Sequence, residues 1–155
     1  MARRPRPGEP VYGTSWRKHG PRRSQAARIA RLLRPVAHLM GGLASTELII
    51  PYRRRWYRPD VGVAIGGAST CDGVLPRAPM LVVRLGGPLP AEAWLHAGAR
   101  VVWAWDDDGE VVELVKGGRR SLERGAWFAH PDEPALRLAA DELRPPAWRD
   151  ARISA

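Results

Sequence analysis

The sequence is poor in several residue types. It has one cysteine (Cys71), one phenylalanine (Phe128) and two lysines, although its basic residues number 25. A lone thiol cannot form an internal disulfide or a cysteine-based metal cluster, which favours the cytoplasm. No apolar run approaches the roughly 18 residues of a membrane span, and the basic N-terminus lacks the apolar stretch of a signal peptide. We therefore expect a cytoplasmic protein without a membrane segment, and its 155 residues suit one domain with one core.

Basic charge is concentrated in the first part of the chain. Residues 1–58 carry 14 basic against two acidic residues, a net charge of +12. Residues 59–155 carry 11 basic against 14 acidic residues, a net charge of −3. Such an asymmetry predicts a basic arm or face that binds an anion, most often nucleic acid.

Two segments hold most of this charge. Residues 1–23 are rich in Arg, Pro and Gly and are expected to form a flexible basic arm, either a solvated tail or a phosphate-binding segment. Tyr52 to Tyr57 combines arginines with aromatic residues. Its rings could stack on bases, but we favour rings covered by the arginines, and anion contact for the arginines themselves. The candidate nucleic-acid contacts are Arg3, Arg4, Arg6, Arg17, Lys18, Arg22 and Arg23 in the arm and Arg53, Arg54, Arg55 and Arg58 in the second segment.

One long helix is predicted after the arm. Ser24 is a suitable N-cap, apolar residues then recur at helical spacing as far as Met40, and Gly41-Gly42 ends the pattern. Pro35 lies inside this helix and should kink it or split it after Arg34, because proline lacks a backbone donor.

The remainder alternates between strands and one short helix. Asp108-Gly109 is a strong tight-turn signal between two of the strands. Helix, strands, crossover helix and further strands indicate an α+β or α/β layer architecture. The predicted strands are Thr46 to Pro51, Val61 to Ile65, Met80 to Leu85, Val101 to Trp105, Glu110 to Lys116, Ala126 to Ala129 and part of Ala135 to Leu143, and the short helix is Pro90 to Ala97.

The order of these motifs resembles the Uma-two-like family of predicted restriction endonucleases, within the PD-(D/E)XK nuclease superfamily. Arg58 to Val61 matches the family's proline-aspartate before a core strand, and Ala78 to Val83 matches its next core strand. Trp94 to Trp103 resembles its helix, glycine and tryptophan-bearing strand, and Leu136 to Leu143 resembles its C-terminal ending. The resemblance implies an α+β fold with a restriction-endonuclease-like core, in which helices flank a mixed β-sheet. This domain would cover residues 24–143 and be followed by a C-terminal tail over residues 144–155.

The resemblance also implies a chemistry that this sequence only partly retains. In that superfamily an Asp and a Glu on adjacent strands hold Mg²⁺, and a nearby lysine assists phosphodiester hydrolysis. Asp60 stands at the aspartate position, but Arg84 replaces the glutamate and Gly86 replaces the lysine. These positions are degenerate, so we expect no catalytic residues, no bound metal and no other cofactor unless the chain is an active Mg²⁺-dependent nuclease.

Arg84 has three possible roles. It could form a salt bridge with Asp60 that fills the former metal site, which we favour, since a charge in a buried strand needs a partner. It could instead point outward and bind phosphate, or a different strand register could leave it exposed. Other sites are weaker, since the four histidines have no metal-ligand spacing and no histidine is placed to activate Cys71.

The function expected from the sequence is nucleic-acid binding by a catalytically inactive nuclease-like domain, through the basic arm and arginine cluster. A second hypothesis is a structural protein whose nuclease-like fold forms a homodimer or larger assembly and whose arm docks on an acidic protein partner. An active Mg²⁺-dependent DNA endonuclease is the third, and it needs a replacement acid that the sequence does not show.

Overall fold

A computed structural model describes residues 4–13, 21–65 and 73–145. Within them, no helix is both long enough and apolar enough to cross a membrane. In chain order the elements are β1 (Val11–Gly13), α1 (Pro21–Leu39), β2 (Gly42–Ser45), β3 (Ile50–Tyr52), β4 (Arg55–Arg58), β5 (Val61–Ile65), β6 (Leu81–Arg84), α2 (Ala91–His96), β7 (Val101–Trp105), β8 (Val111–Val115), β9 (Gly118–Ser121), β10 (Trp127–Ala129), β11 (Arg137–Ala139) and a 3₁₀ helix (Ala140–Leu143).

The centre of the fold is a six-stranded mixed sheet in the order β2-β5-β6-β7-β8-β9. β6 and β7 are parallel, and the other neighbouring pairs are antiparallel. A parallel pair needs a crossover connection, which α2 supplies between β6 and β7. Two small sheets flank it, β1-β4-β3 and the hairpin β10-β11.

Helices cover both faces of this sheet, as the alternation of side chains along the strands requires. Leu81 and Val83 of β6 face α1 and share its buried cluster with Ile29 and Leu33. Val82, between them, faces the other side and packs in the cluster of α2. Burial on both faces explains why β6 is a nearly continuous apolar run.

Most of the predicted elements are confirmed. β5 and β7 have the bounds that the sequence predicted, and α1 ends at the predicted glycines, with Gly41 at φ +73. Trp103 is fully buried and stacks on Phe128, with ring centroids 4.8 Å apart, so it belongs to the core. Of the two alternatives predicted at Pro35, a kink or a split, the split is wrong, because α1 continues through this residue to Leu39.

Four strands were missed, and one starts later than predicted. The missed strands are β1, β2, β4 and β9. β2 and β9 both begin at the second glycine of a Gly-Gly pair, where the sequence indicated only a stop or a turn. At Gly42 an added Cβ would lie 2.3 Å from the Ala64 carbonyl oxygen of the paired strand. Glycine therefore serves close strand approach here rather than chain reversal alone. The strand predicted from Thr46 begins only at Ile50.

Part of the predicted arm belongs to the folded body. Val11–Gly13 pairs in parallel with Trp56 to Arg58 of β4. α1 begins at Pro21, three residues before the predicted N-cap Ser24, so Arg22 and Arg23 are helical. Arg4 and Arg6 precede β1, whereas Arg3, Arg17, Lys18, Trp16 and Cys71 lie outside the described residues.

Candidate functional site around Asp60

Asp60 is positioned by the backbone at the entrance of β5. It follows the buried Pro59, is itself 3% exposed, and precedes the antiparallel pairing of Val61 with Val83. This register brings the end of β6 beside the carboxylate. Asp60 Oδ2 accepts hydrogen bonds from the backbone amides of Leu85 at 2.7 Å and Gly86 at 3.2 Å.

The other carboxylate oxygen is bound by an arginine from α1. Arg22 donates to Asp60 Oδ1 from Nε at 3.1 Å and from Nη2 at 2.9 Å. Its guanidinium also lies against Gly86, where an added Cβ would come within 2.8 Å of Nη1. Glycine at this position therefore leaves room for the guanidinium next to Asp60. In the superfamily pattern, position 86 would hold the lysine.

Burial and charge act in opposite directions on Asp60. Burial raises the pKa of the carboxyl group above its ordinary value, and the Arg22 guanidinium and the amides of Leu85 and Gly86 offset only part of this rise. The ionised carboxylate consequently depends on Arg22, whose side chain keeps 38% of its surface exposed.

Arg84 does not pair with Asp60, so the predicted salt bridge is wrong. Its Nε donates to the Leu89 carbonyl and its Nη1 to the Trp105 carbonyl, both at 3.0 Å, and Nη2 lies 3.2 Å from Asp107 Oδ1. Arg84 shares the α2 side of β6 with Val82, whereas Arg22 reaches the Asp60 carboxylate from α1. The alternatives with an outward or exposed arginine are also wrong, since Arg84 is 4% exposed.

The residues around Asp60 do not fit the Mg²⁺ ion that the nuclease fold implies. Both carboxylate oxygens already accept hydrogen bonds, and the position of the second acid carries a cation. Glu92 is the acidic residue nearest in sequence to Arg84, and its carboxylate lies 3.6 Å from the Arg119 guanidinium. Among the described residues, no three His, Cys, Asp or Glu side chains are grouped as metal ligands. No metal-dependent step is therefore derived from this site.

A small cavity of about 120 Å³ adjoins Asp60 beneath the first turns of α1. It brings together charges from α1, β4 and the segment between β2 and β3. Glu47 Oε2 lies 3.9 Å from Nε of Arg58, whose side chain is largely buried, and the cavity lining holds two cations and two carboxylates. The lining residues are Arg23, Ala26, Ala27, Thr46, Glu47, Arg58 and Asp60.

A second basic site lies at the tip of the β3–β4 hairpin. Arg53 and Arg54 form its two-residue turn with φ of 48 and 66, and both are exposed, as is the following Arg55. Arg53 lies over the Tyr52 ring and Arg55 over the Tyr12 ring, each with 5.3 Å between the guanidinium carbon and the ring centroid. Arg53 thus covers the Tyr52 ring, as the favoured interpretation predicted, whereas Trp56 and Tyr57 are buried and Arg55 covers a ring from β1.

The structure thus divides the predicted contacts into separate groups. Arg22, Arg23 and Arg58 meet around Asp60, whereas Arg53, Arg54 and Arg55 meet at the hairpin. Sequence reasoning missed Glu47 as a neighbour of the site and Arg22 as the partner of Asp60. Proline favours the first helical position, so Pro21 could have placed Arg22 in the first turn of α1. No comparable signal pointed to Asp107 as the partner of Arg84.

The arrangement of elements matches a solved structure. It is that of a protein from Anabaena variabilis, described as a candidate nuclease belonging to DUF820, with a TM-score of 0.64 over 81% of each chain and 17% sequence identity. The fold is restriction-endonuclease-like. At this identity the likeness shows the fold alone. No protein-family model matches the sequence, and neither does any curated protein.

Proposed function

We propose that this chain binds nucleic acid through its basic surface and does not hydrolyse it. The observation that carries the proposal is the Arg22–Asp60 pair. A guanidinium from α1 satisfies the aspartate that would hold the metal in a nuclease of this fold. The chain keeps Asp60 but carries Arg84 and Gly86 where such a nuclease would have its glutamate and lysine.

The donor set around Asp60 supports the loss of catalysis. Hydrolysis by this superfamily needs carboxylate oxygens on a divalent cation. Here Asp60 is bound by Arg22 and two amides, and Arg84 occupies the second acidic position with its own partners at Leu89, Trp105 and Asp107. A cation at Asp60 would meet the Arg22 guanidinium and a carboxylate whose two oxygens already accept hydrogen bonds.

The charge distribution supports binding. Phosphates attract a surface with net charge +12 in residues 1–58, and arginine is suited to bidentate phosphate contact. Arg53, Arg54 and Arg55 are exposed, and Arg53 and Arg55 lie over tyrosine rings, a contact that leaves their charge available to phosphates.

The test is fluorescence anisotropy of labelled duplex and single-stranded DNA and RNA, titrated with the full chain at increasing salt. We expect an affinity that falls steeply with salt and depends little on sequence, because phosphate contacts release counterions. The arm contribution is measured with Arg4→Gln/Arg6→Gln. Deleting residues 1–23 would also remove β1 and Arg22 and would confound binding with folding.

A parallel assay follows plasmid cleavage with Mg²⁺ or Mn²⁺. We expect no cleavage above the level of the Asp60→Ala variant. Metal-dependent cleavage that this substitution abolishes would overturn the inactive assignment. Absence of binding at low salt would overturn the nucleic-acid assignment and favour an acidic protein partner, which light scattering and co-purification would then address.

A further inference from the structure

We propose that Arg53 and Arg54, hereafter the arginine turn, form a preorganised clamp for adjacent backbone phosphates of a nucleic acid, kept at the expense of fold stability. This inference rests on the proposed function and deepens it. It assigns the tip of one hairpin, rather than the whole basic surface, as the principal contact.

The backbone of the turn is the first observation. Tyr52 pairs with Arg55, so Arg53 and Arg54 are the two central residues of a two-residue hairpin. Both have positive φ, 48 and 66, as in a type I′ turn. That turn strongly favours Asn-Gly, because other residues crowd their own Cβ in the left-handed region. Two consecutive arginines are therefore a poor choice for folding.

Residues held in unfavourable backbone regions concentrate at functional sites, where surrounding structure enforces them. Such enforcement is present here. Tyr57, 8% exposed, has its ring centroid 5.7 Å from that of Tyr12 and 6.3 Å from that of Tyr52. β1 pairs with the edge of β4 that is opposite β3, and the Trp56 indole donates a hydrogen bond to the Glu9 carboxylate. The strands that carry the turn are therefore packed against β1. A turn held in this way loses less conformational freedom when it binds a ligand.

The charge at the turn is the third observation. Arg28, Arg100 and Arg120 each have a carboxylate partner across the surface. Within the described part of the chain, by contrast, Arg53 and Arg54 form no ion pair, and the only contact there for the Arg53 guanidinium is the Tyr52 ring. Two neighbouring cations at the tip of a hairpin suit consecutive phosphates along a polymer better than one isolated anion.

The surroundings of the turn favour nucleic acid over a membrane surface. A membrane-inserting tip carries large apolar side chains that enter the interface. The exposed large apolar residues of the described chain are Leu32, Leu39, Ile65 and Trp127, and all of them lie on other elements. The clamp is therefore expected to act through charge and hydrogen bonds alone.

Arg53→Asn/Arg54→Gly separates the two halves of the proposal, since Asn-Gly suits the turn but removes its charge. We expect the melting temperature to rise by about 2–6 °C. In the anisotropy assay, we expect affinity for duplex or single-stranded DNA at about 0.1 M salt to fall roughly 10–100-fold. The slope of log affinity against log salt should drop by about 2, one unit for each lost phosphate contact.

Two control variants complete the experiment. Arg31→Gln/Arg34→Gln removes the same charge from the exposed face of α1, and we expect it to lose less than about threefold in affinity. Arg53→Lys/Arg54→Lys keeps both charges and the unfavourable backbone, so it should stay within a few-fold of the wild type without a rise in melting temperature.

Each outcome decides a different point. If the Asn-Gly variant binds as tightly as the wild type, or if both charge-removing variants lose affinity equally, the clamp is refuted while general nucleic-acid binding stands. A melting temperature that stays level or falls would refute the stability cost. A wild-type chain that binds no DNA or RNA at low salt would refute the proposed function and the clamp together.

Discussion

The Arg22 guanidinium compensates the charge of the buried Asp60 carboxylate. Its removal should lower the free energy of unfolding mainly at pH values at which that carboxylate is ionised. We expect Arg22→Gln to lower the free energy of unfolding by about 2–3 kcal/mol at pH 7, somewhat below the cost for a fully buried pair because Arg22 is partly exposed. The pKa of Asp60 is already raised by burial and should rise further without Arg22. Urea titrations of both proteins measure the difference.

The pH dependence gives this prediction its sign. A carboxyl group with a raised folded pKa costs nothing below its unfolded pKa, near 3.8, and costs stability as pH rises through the folded value. The difference between Arg22→Gln and the wild type should therefore be small near pH 4 and full at pH 7. Arg22→Gln/Asp60→Asn should recover part of the loss at pH 7, and equal stability of Arg22→Gln and wild type there would contradict the pairing.

At this scale the sequence was informative about residues but not about their partners. Asp60 and Arg84 were singled out correctly as a carboxylate at a strand entrance and a cation in a buried strand. Their pairing was wrong because adjacency of two strands does not decide which sheet face each side chain takes. Arg22 and Asp107 come from elements remote in sequence, and only the packing of α1 and the turn after β7 brings them to the site.

Among the elements, α1 contains an avoidable defect. Pro35 is exposed and lacks the N–H that would bond to the carbonyl four residues earlier, yet the helix continues because Leu33 and Ala37 are buried on either side of it. We expect Pro35→Ala to raise the free energy of unfolding by about 1–2 kcal/mol, after allowing for the greater freedom of the unfolded chain. Chemical denaturation monitored by circular dichroism measures the gain.

Arg34→Ala serves as the control for this helix. It changes an exposed neighbour without altering the backbone, so its effect should stay within about 0.5 kcal/mol. A Pro35→Ala variant no more stable than the wild type would contradict this prediction. It would show that Pro35 does not lower the free energy of unfolding in this helix.

Element prediction succeeded where periodicity was strong and failed where glycine had two uses. The apolar patterns of β5, β6 and β7 gave their positions within about a residue. The Gly-Gly pairs before β2 and β9 looked like turns, but their second glycines begin edge strands of the central sheet. The helix α1 continues through Pro35 because its apolar face is buried, and local sequence does not reveal that burial.

Two stages of stability loss are expected for the molecule on acidification, and both act against the stability that protonation of Asp60 adds. Burial lowers the pKa of His130 from its ordinary 6.5, although the Met80 carbonyl opposes this. Burial alone would raise the pKa of Asp106, but the Glu110 amide and Arg119 hold it below 3.8, and Arg100 lowers the pKa of Asp132. A lowered folded pKa contributes stability above the unfolded value and loses it as pH falls.

We therefore expect a decline beginning near pH 6.5 from His130 and a second below about pH 4 from Asp106 and Asp132. Urea titrations between pH 8 and pH 3 would resolve the two stages. His130→Gln should flatten the first stage whatever its absolute stability and leave the second unchanged. A first stage that persists in this variant would contradict the assignment to His130.

The edge strand β9 affects whether two copies of the chain can associate by pairing their strands. Its four residues are exposed, and in the described part of the molecule it ends the central sheet, where a row of backbone groups faces outward. Arg119 is tied to Asp106 and Arg120 to Glu113, so both guanidinium groups are held along this rim. A second chain adding a strand there would have to bury those cations. Resistance to fibril-like stacking is thus provided by residues that contribute little to the core.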